Sequence, residues 1–444
     1  MLMVSRLKQL AESVPPSVGK PLSSVPYTLR LGPSYASASR GIVKYERASS
    51  EVVSQYLFQR CVAMVCFAEA EVPFYRNFYR SKGFSSEQIK EWDDWQRVPI
   101  VTKADMQNFS LGERCAAKNK GMKINTGGTS GQPLEFYLDS RAFGREWAHM
   151  HAIWKAHGYR PHHLKLTFRG KHFEQDHPIR YNAVHNEYVV NANCHMRDIV
   201  EALMELPRKD IIRWIHGYPS LIAEFSHELS CSRSYDVNAF SRRLFGVLLG
   251  SEYPAPVYRD AIAENLSTNI VSWYGHSEMA LLARETALGV YQSFPTYGYA
   301  EAVPAQGSEH RLICTSHHNF THPFIRYDTG DLVEPVCFSE PSLAFRITEG
   351  RVGDFIIDRQ GKRHSLTAII FGRHHSAFSL LKHLQVREDS RGEISLVATP
   401  QDMAISTQRL MAGFDLDDLD INWNLEVVES PIRTQAGKIR LKIT

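Results

Sequence analysis

The seven cysteines (Cys61, Cys66, Cys115, Cys194, Cys231, Cys314 and Cys337) are odd in number, scattered and without any CxxC pair. That excludes a disulfide framework and a zinc ribbon, and it suits a reducing compartment. An excess of charge is missing as well. Lys and Arg number 51 against 48 Asp and Glu, a formal net charge of +3, with the two signs mixed along the chain. No electrostatic footprint for nucleic acid or an anionic membrane stands out. Long apolar runs are absent: residues 61–68 and 245–249 are core-sized, and Arg6 and Lys8 stand where a secretory segment would be apolar. No internal repeat or low-complexity tract is visible. These absences leave a cytoplasmic enzyme with no membrane span and no nucleic-acid partner as the leading class.

What is present begins with length. At 444 residues the chain exceeds what one core usually supports, so two or more domains are expected. The first forty residues are rich in Pro, Ser and Gly and read as an irregular, wrapping segment. Apolar residues then recur at helical spacing over 51–79, ending at Gly83, which predicts a core-packing helix. From 124 to 333 short apolar runs alternate with amphipathic stretches, an α/β pattern. Strands are predicted at 245–249 and 270–274 with a helix at 257–266 between them, and both strands run into polar glycine-bearing ends, Gly250-Ser251-Glu252 and Gly275-His276-Ser277-Glu278. Ligands of open α/β sheets collect past the carboxyl ends of strands, so both are candidate site material. Beyond 350 the texture changes to hairpins around 358–361 and 389–392 and an alternating strand at 421–427, which predicts a small α+β domain.

Two short segments carry the chemistry. Thr126-Gly127-Gly128-Thr129-Ser130-Gly131 has the glycines and hydroxyls that let backbone N–H and side-chain O–H groups converge on phosphate oxygens. Near the other end, Gly437-Lys438-Ile439 offers a single compact cation. Taken alone, the first is an ordinary polar turn and the second a solvent-facing lysine.

Their order with other motifs changes that. Thr126 to Pro133, Tyr274-Gly275-His276-Ser277-Glu278, Arg326-Tyr327-Asp328-Thr329-Gly330-Asp331, Gly350-Arg351 and Arg433-Thr434-Gln435-Ala436-Gly437-Lys438 resemble the adenylate-forming superfamily of acyl-CoA synthetases. More narrowly, with Val72-Pro73-Phe74-Tyr75-Arg76 and Val98-Pro99-Ile100-Val101-Thr102-Lys103, the chain is similar to the phenylacetate-CoA ligase branch and its capsular-polysaccharide-associated relatives. The resemblance covers the chain from about residue 71 onward.

It implies a large N-terminal α/β domain with mixed or parallel sheets (1–350) that binds ATP and the acid. A small, mobile α+β domain (351–444) follows, with Gly353 in the hinge region. The implied reaction converts a carboxylic acid and ATP to an acyl-adenylate and passes the acyl group to CoA. In that scheme Glu278 is a ligand of Mg²⁺, Tyr274 stacks on adenine, Asp331 accepts the ribose hydroxyls, and Arg351 reaches the ribose or phosphates. Gly250, Ser251, Glu252, Gly275 and Ser277 line the nucleotide site. Lys438 stabilises the charge that builds between carboxylate and α-phosphate. Gln132 stands where many relatives carry lysine, Gly127 where serine is more usual, and Ser277 in place of threonine. The first two changes thin the phosphate site; the third keeps its hydroxyl. The acyl pocket is placed by analogy between 216–220, 249–251 and 273–274, without naming the acid.

The chain ends shortly after Lys438, so an acceptor arriving in trans is expected, and the relatives allow a homodimer. An amine, a sugar hydroxyl or a carrier-protein thiol are alternative acceptors; a non-catalytic nucleotide-binding protein is the reading from another class. His172, His177, His185 and His195, with Cys194, lack the spacings of a metal site, as do His162-His163 and His374-His375. They read as exposed or loop histidines.

Overall fold

A computed structural model describes residues 16–116, 121–125, 134–169, 177–191, 194–232, 237–305, 309–337, 341–349, 355–361, 363–366, 370, 375–416, 419–433 and 439–443. Contacts divide the chain into two units. Unit 1 comprises Met1–Pro26, Gly158–Ser272 and Gly353–Thr444; unit 2 comprises Tyr27–His157 and Trp273–Val352.

Unit 1 is built on parallel strands. Leu164–Phe168 lies between Glu187–Val190 and Ile212–Gly217, which in turn pairs with Gly246–Leu249. Ile179–Asn182 adds an antiparallel edge, and Ile270, Val271 and Ser272 pair with Val247, Leu248 and Leu249. Every residue of Leu164–Phe168, Glu187–Val190 and Gly246–Leu249 is buried, as expected for parallel strands covered on both faces by crossover helices. Two of those helices open on proline, Pro219–Cys231 and Pro256–Leu266, where the missing N–H costs nothing. The second stops at Ser267, whose φ of 45° is left-handed.

One cation stands inside this apolar layer. Lys165 is 0 % exposed; its Nζ lies 3.0 Å from Glu187 Oε2 and donates to the His185 carbonyl at 2.9 Å. Thr167 Oγ1 donates to Glu187 Oε2 at 2.8 Å and Asn182 Nδ2 to Oε1 at 3.1 Å. Burial alone would raise the Glu187 pKa, but the Lys165 ammonium against it outweighs that and holds the carboxylate far below its usual range. Thr167→Val keeps the β-branched shape and deletes one bond to this charge. It is expected to lower unfolding free energy by about 1.5–3 kcal/mol, read as a lower urea midpoint at unchanged slope.

Residues 353–444 contribute to unit 1 a separate four-stranded sheet in the order Asn422–Val427, Glu393–Pro400, Leu381–Ser390, Lys442–Ile443. The central pair is antiparallel and both outer pairs are parallel. Ile356, Leu366, Val386, Leu396, Leu410 and Leu416 form its core.

Unit 2 is dominated by antiparallel strands. Gly298–Pro304, His310–Ser316, Tyr327–Cys337, Ala344–Glu349, Val290–Ser293 and Leu282–Ala287 lie side by side in that order. Trp273, Tyr274 and Gly275 pair with Arg284, Ala283 and Leu282. A hairpin of Met122–Asn125 with Glu135–Leu138 brings Asn125 opposite Glu135, so the residues flanking the expected phosphate loop are paired. The expected 51–79 helix is two helices, Ser50–Glu71 and Pro73–Ser81, because Pro73 cannot donate its N–H to the preceding turn. Ser49 caps the first, its Oγ accepting from Val52 N–H at 3.4 Å. Among the described residues, the expected irregular N-terminal segment is instead helical over Pro16–Ser23, Tyr27–Arg30 and Gly32–Glu46. Pro16 and Pro33 sit in opening turns, where proline favours a helix.

Candidate active site

In unit 2 the strand Tyr327–Cys337 and the turn after Gly275 bring together two buried carboxylates. Glu278 is 5 % exposed and Asp331 4 %. Glu278 Oε2 lies 3.1 Å from His276 Nδ1, and Oε1 accepts from the Tyr327 hydroxyl at 3.4 Å. The Tyr274 hydroxyl donates to Asp331 Oδ2. Tyr274 is half-buried, its ring edge-on to Phe345 at 5.5 Å and 87°.

The backbone under Asp331 is fixed locally. Thr329 Oγ1 donates to the Leu312 carbonyl at 2.8 Å and accepts from Asp331 N–H at 3.2 Å; Gly330, at φ 78°, donates to Asp328 Oδ1 at 2.9 Å. A left-handed φ flanked by those bonds is the reason for glycine at 330. The Thr-Gly-Asp run is thus a tight turn that holds one carboxylate in place. Arg326, four residues before Gly330, turns elsewhere: it pairs with Glu301 at 3.1 Å and donates to the carbonyls of Gln96 and Val98 at 2.9 and 2.7 Å. Its task is structural.

Cys314 reports the local field. Burial first, then Glu278, Asp328, Asp331 and Glu301, pushes its thiol pKa well above the usual value. His276 Nε2 lies 3.8 Å from its sulfur, so the imidazole stands between Glu278 and Cys314. Two of these carboxylates are already paired with arginines, Asp328 with Arg311 at 3.1 Å and Glu301 with Arg326 at 3.1 Å. No group of three or more metal-binding side chains is found among the described residues. A single carboxylate such as Glu278 suits Mg²⁺, which usually takes one or two protein carboxylates beside phosphates and water.

The second cluster of expected site residues belongs to unit 1. Gly250 N–H donates to the Gly217 carbonyl at 3.1 Å, and Ser251 has φ 69°. Glu252 Oε2 accepts from Ser220 Oγ at 2.7 Å and from Ser220 N–H at 3.3 Å, so it caps the helix Pro219–Cys231 and complements its dipole. Its Oε1 accepts from Ile439 N–H at 3.2 Å. Gly217, at φ 146°, permits the close strand end: a Cβ there would lie 1.9 Å from the Phe168 carbonyl oxygen.

Thr126, Gly127, Gly128, Thr129, Ser130, Gly131, Arg351, Gly353 and Lys438 lie outside the described residues. Tyr274, Gly275, Ser277, Glu278 and Asp331 are grouped in unit 2, and Gly250, Ser251 and Glu252 in unit 1. The sequence gives no sign of Tyr327 and His276 as partners of those carboxylates, although both stand inside quoted motifs, and it places Ser220 at the acyl pocket and not on Glu252. Among the histidines, His177 and His195 are exposed, but His375 is buried and accepts from Asp415 N–H at 3.0 Å. His163, like His375, lies in a loop as expected but is not exposed: burial first, then His162, Arg160 and Arg213, holds its pKa down at about 4, and it accepts from Trp214 Nε1 at 3.1 Å.

No family model matches the chain. Protein CapK of Staphylococcus aureus is 23% identical over 307 residues, covering 65% of this chain and 67% of that protein. Among solved structures, 2-hydroxyisobutyryl-CoA ligase in the postadenylation state aligns with a TM-score of 0.62 at 18% identity, covering 89% of each chain. The GH3.15 acyl acid amido synthetase aligns with a TM-score of 0.55 at 13% identity, over 85% of this chain and 86% of that one. The mixed α/β strands and the separate smaller sheet are therefore those of a known architecture: the chain has the fold of the adenylate-forming enzymes.

Proposed function

We propose that this protein is an ATP-dependent adenylate-forming ligase that activates a carboxylic acid as its acyl-AMP and transfers the acyl group to CoA. The observation that carries the reading is the pair of buried carboxylates in unit 2, Glu278 held by His276 and Tyr327 and Asp331 held by Tyr274. They occur on a fold shared with a CoA ligase whose structure holds an acyl-AMP.

In the first step a carboxylate oxygen forms a bond to the α-phosphorus of ATP. The bridging bond to the β-phosphate breaks, and pyrophosphate leaves with the electron pair. In the second, the CoA sulfur bonds to the acyl carbon, the thiol proton is lost, and AMP departs. Anion approaches anion in the first step, so catalysis is charge neutralisation and positioning. Thr126 to Gly131 hold the pyrophosphate end, Asp331 the ribose and Tyr274 the adenine. Gly250, Ser251, Glu252, Gly275 and Ser277 line the nucleotide, Arg351 reaches its phosphates, and Lys438 meets the developing charge. Glu278 would hold Mg²⁺, which when bound supplies further neutralisation at the phosphates. The division at 350/351 belongs to the same proposal, as do a cytoplasmic setting and the option of a homodimer. No described helix is long and apolar enough to cross a membrane.

A second reading keeps the adenylate and changes the acceptor to an amine, a sugar hydroxyl or a carrier-protein thiol. The fold shared with an acyl acid amido synthetase favours carrying it. Carboxylate-dependent ATP–pyrophosphate exchange with Mg²⁺, run over aryl, acyl and amino acids with CoA withheld, tests the common core. Exchange with one class of acid is expected, and CoA-dependent AMP release then favours CoA over the other acceptors. ATP binding with no exchange for any acid would replace the ligase reading with a non-catalytic nucleotide-binding protein.

A further inference from the structure

A buried cysteine ordinarily packs as a small apolar residue. Cys314, in the strand His310–Ser316, is 0 % exposed, and its sulfur lies 3.8 Å from His276 Nε2. Cys61 and Cys115 meet histidines too, His317 and His322. Among the described residues, His276 is the one of these three whose other ring nitrogen lies against a carboxylate, Nδ1 being 3.1 Å from Glu278 Oε2. The His276 and Glu278 side chains are 4 % and 7 % exposed, so water has little access to either contact. In the neutral imidazole Nδ1 carries the proton, because an ionised carboxylate only accepts. Nε2 is then the acceptor, and the Cys314 thiol is its donor. Burial first, then Glu278, Asp328, Asp331 and Glu301, keeps that thiol protonated.

Strand register sets this arrangement. Cys314 stands opposite Tyr327 on one neighbouring strand and opposite Ala300 on the other, so the three share one face of the sheet. Ala300 brings only a methyl group, and from the same row the Tyr327 hydroxyl donates to Glu278 Oε1 at 3.4 Å. The carboxylate thus has a donor on each oxygen, Tyr327 directly and Cys314 by way of His276. Without such partners the last torsion of a glutamate is broad. The turn that carries His276 and Glu278 is itself pinned: Met279 N–H donates to the His276 carbonyl at 3.0 Å, and Met279 has φ 50°. A left-handed methionine is strained, and such strain persists where the surrounding contacts over-determine it. All these residues belong to unit 2.

Resting on the adenylation reading, we infer that Cys314 and His276 are positioning residues for Glu278: the thiol fixes the imidazole, and the imidazole fixes the carboxylate that receives Mg²⁺. Cys314 acts only through His276. Outer partners of a metal-binding side chain orient it, and their loss typically costs about 10–100-fold in metal affinity or activity.

The readout is the factor by which saturating Mg²⁺ tightens ATP binding, measured by calorimetry on the full chain. Cys314→Ala is expected to shrink that factor by about 10-fold with metal-free ATP binding unchanged, and Cys314→Ser, which keeps a donor, to recover most of it. His276→Asn keeps an N–H near the place of Nδ1 and severs the link to residue 314, so Cys314→Ala should cost nothing further in that background. An unchanged factor in folded Cys314→Ala protein overturns the proposal. So does an equal loss of ATP affinity with and without the metal, or a full further loss in the His276→Asn background. If Cys314→Ala does not fold, His276→Leu is compared with His276→Asn: a smaller factor for leucine is expected, and equal factors overturn the proposal. Nitrogen NMR of protein labelled at histidine needs no ligand. A protonated Nδ1 and a bare Nε2 are expected at His276, with the Nε2 signal moved by Cys314→Ala; the opposite tautomer or an unmoved signal overturns the relay. Wild-type protein that exchanges pyrophosphate with no acid overturns the adenylation reading and with it the role of Glu278. The ring-nitrogen signals still decide the contacts from Cys314 to Glu278 in that case, so the two failures are read separately.

Discussion

Alanine in place of Lys438 is expected to cut carboxylate-dependent ATP–pyrophosphate exchange by about 10²–10³-fold, the loss typical when one preorganised electrostatic group is removed from a transition state. In the proposed mechanism the ammonium is needed only where two negative groups are forced together, so the expected loss falls on kcat, with ATP binding changed by no more than a few-fold. Lys438→Arg should not restore the rate, because a planar, forked guanidinium does not take the place of a compact point charge. The described contacts flanking this position are made by the Arg433 side chain and the Ile439 backbone, so the variant should fold. Steady-state exchange kinetics paired with calorimetric ATP titration is the check. Full exchange activity in Lys438→Ala would remove the residue from the mechanism.

Glu278→Gln is the second large effect. Glutamine can still accept from the Tyr327 hydroxyl and can donate to His276 Nδ1, so these two contacts survive while the charge goes. Stability should therefore change little. Exchange is expected to fall by about 10²-fold, and the Mg²⁺ concentration for half-maximal rate to rise, because magnesium strongly prefers an ionised oxygen ligand. A Mg²⁺ titration of the exchange rate distinguishes this from general damage. A variant with wild-type magnesium dependence and a lowered rate would place Glu278 outside the metal's shell and make it a group that only orders Tyr327 and His276.

Much of the scaffold was readable from pattern. Strands expected at 245–249 and 270–274 are Gly246–Leu249 and Ile270–Gly275, and the helix between them is Pro256–Leu266. Each is a run whose length and punctuation allow one solution. The hairpin at Phe355–Ile357 and Arg363–Ser365 and the alternating strand Asn422–Val427 follow for the same reason. The helices before residue 47 were not readable, because composition counts prolines and glycines without their position. A proline in a first turn supports the helix that composition argues against. Nor was the grouping of 158–272 with 353–444 in one unit, since nothing local in either segment encodes contacts across that span. At the site, motif order picked out Glu278 and Asp331. Tyr274 was expected against adenine, but its bond to Asp331 was not legible, nor were the partners Tyr327 and His276, because a tyrosine in a strand looks the same whether it packs or donates to a carboxylate.

The chain crosses between its two units several times, which has a consequence for how the molecule is made. Glu224 meets Arg433 across 209 residues of sequence and Glu252 meets Ile439 across 187. Contacts of that separation close slowly and come late. During synthesis the parallel strands of unit 1 emerge well before the partners supplied by 353–444, and unit 2 is likewise interrupted by the 115 residues of Gly158–Ser272. Neither unit can be expressed as one contiguous piece of the gene. A product terminated near residue 350 would leave Glu224 without Arg433 and His383, and it would expose surface of the kind that recruits chaperones and drives aggregation.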